Sequence, residues 1–184
     1  QLKGLYQAPK VELDNNFFLE LLETADTVAL RDWFQKQLNA LGLRAFIHKI
    51  MAPATHLLGE AWANGTLEIY QEHLYSELMK SLVRHSLLEY YRDDGEPRVM
   101  LTTLQGEQHS LGLLMVEALL RIGGAEVIAF GTQMPIADIR NASVNHEVDV
   151  LGLSFSSNFR SDEAAVMLGG LRQRIDLKVI SWVV

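Results

Sequence analysis

The sequence VMLTTL (residues 99–104), followed by the loop GEQHSLG (106–112) and the amphipathic run LLMVEALLRI (113–122), decides the fold of this chain. A β-rich apolar run, a polar loop with two glycines and a helical run predict a strand-loop-helix unit. In open α/β sheets, ligands bind outside the carboxyl ends of the strands, which is where such a loop lies. The pattern therefore predicts a ligand site in residues 106–112.

The loop carries three residues that suit a metal or cofactor site: Glu107, His109 and Gly112. Neutral imidazole is the commonest metal ligand, and its second nitrogen usually needs an oriented acceptor, which Glu107 can supply. Gly112 lacks a side chain where a bulky group approaches the backbone. A single histidine in such a loop is more often a solvated residue, so both interpretations stay open. The glycine spacing does not match a dinucleotide-binding fingerprint.

The composition excludes several functional classes. The chain has 184 residues, of which 48% are apolar, a net charge of −7 and a mean hydropathy of +0.06, as expected for a soluble globular protein of one large or two small domains. The negative net charge argues against direct binding of this chain to the phosphate backbone of a nucleic acid. No apolar run approaches the ~20 residues of a membrane span, and no signal-peptide pattern occurs. The chain has no cysteine, which is compatible with a cytoplasmic location.

The first half predicts a helical bundle over residues 14–92, after a linker over 1–13. Four amphipathic runs joined by short turns form an antiparallel bundle. The predicted helices cover residues 14–25, 26–41, 43–63 and 67–91, with N-caps at Asp14, Asp26 and Thr66. Pro53 lies inside the third helix and is expected to kink it.

The spacing of the apolar residues changes after the polar boundary at 93–97, and the new pattern predicts an α/β domain over 98–184. Alternating strands and helices imply a parallel, flavodoxin-like (Rossmann-like) sheet with right-handed crossovers. The predicted strands cover 98–104, 125–130, 148–154 and 177–183, and the helices lie near 110–123, 136–146 and 161–175. The chain starts at Gln1 and stops at the end of a strand, so we expect a piece of a longer protein, C-terminally incomplete.

A second group of candidate residues lies around the turn between the third and fourth helices: Trp62, Ile69, Glu72 and His73. The last three share one helical face. A tryptophan near a helix end usually belongs to the packing, and a glutamate and a histidine usually lie on the surface. Together, however, they supply a flat apolar plate and two hydrogen-bonding groups, which suit a ligand that is partly sugar or purine.

The two motifs together resemble a known family. A helical bundle with Trp-x9-Glu-His (residues 62–73), followed by a sheet whose first loop reads Glu-x-His-x-x-Gly (107–112), is similar to the cobalamin-binding photoreceptor repressors of the CarH/LitR type. Those proteins are MerR-family transcription regulators. The second motif is shared by many corrinoid proteins, whereas the first is typical of the sensor branch.

The resemblance implies a role for each loop residue. His109 would be the lower axial ligand of cobalt in place of the cofactor's dimethylbenzimidazole, and Glu107 would bind the far nitrogen of that imidazole. Gly112 would leave room for the nucleotide tail. Ser154 and Ser156 stand where the family has a Ser-x-Leu motif near that tail, with Ser156 replacing the leucine.

The resemblance also implies adenosylcobalamin as the cofactor. Trp62 would cover the upper face of the corrin, while Ile69, Glu72 and His73 would contact the adenosyl group. The chain departs from light-sensing members at Ala63, where a histidine captures cobalt after light breaks the cobalt–carbon bond. The Gly-Gly motif expected after the fourth strand falls beyond residue 184.

Three functions follow as hypotheses. The first is a non-enzymatic sensory module whose cobalamin occupancy controls homo-oligomerisation, as a dimer or tetramer, and DNA binding by a helix-turn-helix domain outside this sequence. The second is a corrinoid carrier subunit of a methyltransferase system. The third is a vestigial site in a dimerisation module. No Ser-His-acid arrangement typical of nucleophilic catalysis can be located in the sequence, so nothing indicates hydrolase chemistry.

Overall fold

The first helices begin where the sequence supplies capping side chains, as predicted. In the computed structural model, which describes residues 12–183, the Asp14 carboxylate accepts the backbone N–H of Phe17. The Asp26 carboxylate accepts those of Val28 and Ala29. The helices are α1 (Asn15–Glu23), α2 (Thr27–Leu41), α3 (Leu43–Phe46), α4 (Ala52–Ala63) and α5 (Ile69–Leu87). The linker predicted for 1–13 falls almost entirely outside the described residues.

The third predicted helix contains a π-helical segment, Ile47–Met51, between α3 and α4. Pro53 follows it as the second residue of α4. The helical hydrogen bonding therefore changes immediately before Pro53, where the sequence predicts a kink. The carbonyl group of Met51, at the end of this segment, accepts hydrogen bonds from the hydroxyl groups of Thr55, at 2.8 Å, and Tyr75, at 3.1 Å.

The fourth predicted helix starts later than its sequence pattern indicates. The hydroxyl group of Thr66 donates to the carbonyl group of Ala61 at 2.8 Å, so it ends the preceding helix instead of capping the next. The prediction of Thr66 as an N-cap was therefore wrong. The backbone N–H of Glu68 donates to the side chain of Gln71 at 2.8 Å, which places the start of α5 at Ile69.

The chain divides into two units, Gln1–Tyr75 and Ser76–Val184, and α5 belongs to both. The core of the first unit is aromatic: Phe18, Phe34 and Tyr75 are fully buried, with ring centroids 5.7–5.9 Å apart. Edge-to-face and tilted contacts of this kind add to the free energy of burial. Within 12–183, no helix has the length and apolarity needed to cross a membrane.

The second unit is a parallel four-stranded sheet with the order β2-β1-β3-β4, which confirms the predicted α/β fold. The strands are β1 (Arg98–Thr102), β2 (Glu126–Ala129), β3 (Val150–Phe155) and β4 (Lys178–Val183). The helices are α6 (Leu111–Ile122), α7 (Ile136–Asn145) and α8 (Ser161–Arg172). Leu113 of α6 packs on one face with Val99 and Leu101, while Ile139 of α7 and Leu171 of α8 pack on the other. The loop that carries His109 follows the carboxyl end of the central strand β1.

Candidate functional site

The ligand loop, residues 105–110, leads into α6, and residues 103 and 104 join it to the carboxyl end of β1. Its two functional side chains have opposite environments. The Glu107 side chain is 1% exposed, whereas that of His109 is 67% exposed. The loop thus buries a carboxylate and presents an imidazole to solvent, at the edge of the sheet where ligands bind in this class of fold.

The Glu107 carboxylate is saturated by hydrogen-bond donors. Its Oε1 atom accepts from the backbone nitrogen of His109 at 2.9 Å and lies 2.6 Å from Nδ1 of the same residue. Its Oε2 atom accepts from the backbone nitrogen of Ser156 at 2.6 Å and from the Ser156 hydroxyl group at 2.8 Å. Burial alone would raise the pKa of Glu107, but these hydrogen bonds outweigh it and lower the pKa. The carboxyl group is therefore ionised at neutral pH.

The ionised carboxylate decides the tautomer of His109. A carboxylate can only accept hydrogen bonds, so Nδ1 of His109 carries the proton that faces Glu107. The Nε2 atom of the neutral ring then keeps its lone pair. Within residues 12–183, no hydrogen bond engages that Nε2 atom. An exposed imidazole held by a carboxylate behind it is the usual arrangement of a metal-ligating histidine.

The structure gives Ser156 a contact that the sequence motif did not indicate. Its backbone N–H and its hydroxyl group both donate to the carboxylate of Glu107, which is 49 residues away in the chain. Ser154 is buried in β3 opposite Trp182, and its hydroxyl group makes no hydrogen bond with the described residues. Gly112 is buried as the second residue of α6. The structure thus brings Glu107, His109 and Ser156 into one hydrogen-bonded group.

The candidate residues of the first unit lie at its surface. Trp62, near the end of α4, is 49% exposed, and Ile69, the first residue of α5, is 63% exposed. Nδ1 of His73 lies 2.7 Å from Oε2 of Glu72. Core packing therefore does not account for Trp62 or Ile69. Ala63 is also exposed and ends α4.

The sequence analysis missed one residue of the site, Thr103. Its side chain is fully buried, and its hydroxyl group donates to the carbonyl oxygen of Glu107 at 2.7 Å. The available signal was a pair of threonines at the end of an otherwise apolar strand.

It also missed a buried ion-pair network in the second unit. Glu117 of α6 is 1% exposed and accepts from Arg84 of α5 at 2.6 Å and from Arg121 at 3.0 Å. Arg121 in turn donates to the carbonyl oxygen of Val127 at 2.6 Å and lies over the ring of Tyr91. The network fastens the end of α5 to α6 and β2 within the second unit.

The geometry agrees with the comparisons with known proteins. Two family models, each described as a B12 binding domain, match residues 16–86 and 97–183. Together they span most of the chain, which therefore belongs to the B12-binding domain family and is CarH-like in sequence.

Two repressors of Myxococcus xanthus are similar to this chain. The HTH-type transcriptional repressor CarH is 29% identical over 180 residues, which are 95% of this chain and 58% of the repressor. The HTH-type transcriptional repressor CarA is 30% identical over 128 residues, which are 62% of this chain and 44% of that protein. The chain thus spans about half the length of these relatives.

Proteins of other functions also share parts of the chain or its fold. Methionine synthase of Mycobacterium tuberculosis is 30% identical over 100 residues, which are 53% of this chain and 8% of that enzyme. The monomethylamine corrinoid protein of Methanosarcina barkeri has a TM-score of 0.68 at 13% identity, covering 91% of this chain and 81% of that chain. The latter similarity concerns the fold alone.

The residues present fit a cobalamin-type cofactor. A bound corrin would bring four nitrogen ligands for its cobalt, so a single protein donor would be enough to hold the metal. His109 offers one exposed imidazole, and the buried carboxylate of Glu107 holds its tautomer. A single protein donor of this kind suits a metal ion whose other ligands are supplied by its own cofactor.

Proposed function

We propose that this chain is the cobalamin-sensing module of a transcription regulator, with His109 as the lower axial ligand of cobalt. The observation that carries the proposal is the His109 imidazole, exposed and held by the buried Glu107 carboxylate with Nε2 unengaged by the described residues. The similarity to CarH over 95% of the chain supports a sensory role.

Cobalamin supplies an organometallic cobalt centre, whose properties the protein tunes through the axial ligand and the groups behind it. In this proposal, Glu107 keeps the proton of His109 on Nδ1, and Ser156 keeps Glu107 ionised and oriented. Gly112 and Ser154 serve the nucleotide tail, as the family resemblance implies. Each of these residues acts by holding a group or a proton in place.

The proposal extends to the upper ligand and to regulation. Exposed Trp62 and Ile69, with the Glu72–His73 pair, contact an adenosyl group, so adenosylcobalamin is the preferred form. Its binding changes homo-oligomerisation, and through it DNA binding by a helix-turn-helix domain outside this sequence. A ligand shifts such an equilibrium only by its differential affinity for the two states. Light sensitivity is part of the proposal, although Ala63 offers no imidazole to bind cobalt after illumination.

The axial-ligand assignment is tested by cobalamin uptake and absorption spectroscopy. We expect the chain to take up cobalamin with a base-off, His-on spectrum that His109→Ala abolishes. His85→Ala is the matched control, because His85 is an exposed histidine of the same unit and should leave the spectrum unchanged. Absence of uptake by the wild-type chain contradicts the proposal and favours the vestigial site.

The upper-ligand assignment is tested by selectivity between adenosylcobalamin and methylcobalamin. His73→Ala should reduce the preference for the adenosyl form. His56→Ala is its control, because His56 is also exposed and lies beside a carboxylate, with Nε2 3.6 Å from Oε1 of Glu60. Equal effects of the two variants contradict the assignment.

Regulation is tested by size-exclusion chromatography with adenosylcobalamin in the dark and after illumination, together with operator binding by the full-length protein. Unchanged oligomeric state and unchanged operator affinity with cobalamin contradict the sensory role.

A corrinoid carrier of methyl groups is the second candidate, favoured by the 30% identity to methionine synthase over 100 residues. A carrier does not need the adenosyl contacts of the first unit. Methylcobalamin bound at least as tightly as adenosylcobalamin, with no effect of either on oligomeric state, would favour this function.

A further inference from the structure

The loop between β2 and α7, residues 130–135, lies beside residues 103 and 104, which join β1 to the ligand loop, and is called here the second loop. The backbone N–H of Met134 donates to the carbonyl oxygen of Thr103 at 2.9 Å, and Leu104 forms a parallel bridge with Met134. Gly131 and Gln133 both have positive φ angles, of 76° and 63°. The left-handed backbone conformation of Gln133 has a conformational free-energy cost that contacts with its surroundings must offset. Residues with such backbone conformations concentrate near functional sites.

Thr103 joins the two loops through a single hydroxyl group. Its Oγ1 atom donates to the carbonyl oxygen of Glu107 at 2.7 Å and accepts from the backbone N–H of Gln133 at 2.8 Å. The same hydroxyl group therefore supports the left-handed conformation of Gln133 and determines the position of the Glu107 backbone. Glu107 in turn holds both the backbone and the ring of His109.

We propose that Thr103 is a positioning residue for the cobalt ligand, because its hydroxyl group locks the second loop to the ligand loop and so orients His109 through Glu107. The inference rests on the proposed function, in which His109 binds cobalt. Thr103 does not itself touch the cofactor. Groups that hydrogen-bond a metal ligand directly commonly change metal affinity by about 10–100-fold when they are altered, and Thr103 positions one such group, Glu107.

The test compares substitutions of Thr103 that separate the hydroxyl group from the shape of the side chain with a control elsewhere in the second loop. Thr103→Val removes the hydroxyl group and keeps the branched shape, whereas Thr103→Ser keeps the hydroxyl group. Thr132→Val is the matched control, because Thr132 lies in the second loop and its hydroxyl group makes no hydrogen bond with the described residues. Thr103→Ala, which removes the same hydroxyl group with a smaller side chain, is the second variant should Thr103→Val not fold.

Two measurements are made on each protein. Amide hydrogen exchange at Gln133, followed by NMR in the cofactor-free protein, should accelerate at least about tenfold in Thr103→Val, because the amide loses its acceptor. Cobalamin affinity should fall about tenfold or more, with a smaller His-on fraction in the absorption spectrum. Thr103→Ser and Thr132→Val should resemble the wild type in both measurements.

The outcomes separate the two proposals. A wild-type chain without a His109-dependent spectrum overturns the proposed function and this inference with it. A His109-dependent wild-type spectrum that Thr103→Val leaves unchanged in shape and affinity overturns the positioning role alone. The same is true if Thr132→Val weakens cobalamin binding as much as Thr103→Val.

Discussion

Replacing Glu107 by glutamine tests the central hydrogen-bond arrangement, because no orientation of the amide satisfies all of its partners. Each carboxylate oxygen accepts one backbone N–H group, Oε1 that of His109 and Oε2 that of Ser156. The serine hydroxyl group and the imidazole can reverse their roles as donor and acceptor, but a backbone N–H group cannot. Whichever way the amide turns, its NH₂ group faces one buried backbone donor.

The expected cost follows from this geometry. Glu107→Gln replaces charge-assisted hydrogen bonds by neutral ones and leaves one buried N–H group unpaired, for a total of about 3 kcal/mol in the free energy of unfolding. For a chain of this size, that loss lowers the melting temperature by about 6–12 °C. If the amide turns its NH₂ group towards His109, the imidazole changes tautomer and protonates Nε2, so the His-on spectrum with cobalamin should also be lost.

Urea and thermal unfolding of the cofactor-free protein measure the change. Glu89→Gln is the control, because Glu89 is an exposed carboxylate of the same unit and its substitution should leave the unfolding free energy nearly unchanged. Ser156→Ala removes one hydroxyl donor but keeps the backbone N–H group, so it should cost only about 1 kcal/mol. If the Glu107→Gln protein is as stable as the wild type, the conclusion that only hydrogen-bond donors surround the Glu107 carboxylate is wrong.

Three further predictions concern the stability of the second unit. Because the folded-state pKa of Glu107 is lowered, its ionisation stabilises the fold above the ordinary glutamate pKa, and this contribution disappears as the pH falls through the lowered value. The free energy of unfolding of the wild type should therefore fall with decreasing pH by more than that of Glu107→Gln. The same pH dependence in both proteins would contradict the lowered pKa. Glu117→Ala leaves Arg121, which is 4% exposed, as an unpaired buried charge and should cost about 3–5 kcal/mol in urea unfolding; a cost below 1 kcal/mol would be inconsistent with the buried pair. Gly152→Ala places a Cβ atom 2.5 Å from a side-chain carbon of β1 and should destabilise by about 1–3 kcal/mol. Gly169→Ala, with open space around it in α8, should stabilise by about 0.5–1 kcal/mol; effects of the same sign in these two glycine variants would refute the packing argument.

Much of the fold could be predicted because its signals are local. Asp14 and Asp26 cap their helices through N–H groups two or three residues away, and the change from helical to alternating periodicity marks the sheet. Glu107 and His109 could be paired for the same reason, since only one residue separates them. Thr66 was misassigned because the same hydroxyl group can cap the following helix or end the preceding one, and spacing does not decide between them.

The amino-acid sequence by itself determined the order of helices and strands, the ligand loop and the pairing of His109 with Glu107, because each depends on residues close together in the chain. Only the tertiary structure decided that Ser156 completes the carboxylate site, across 49 residues, and that Thr103 links Glu107 to Gln133, which lies 30 residues after Thr103. The physical reason is that parallel strands separated by helices bring distant loops to one edge of the sheet. At that edge, short polar side chains such as those of Thr103 and Ser156 bind residues that are distant in the chain, so the neighbouring sequence does not predict these contacts.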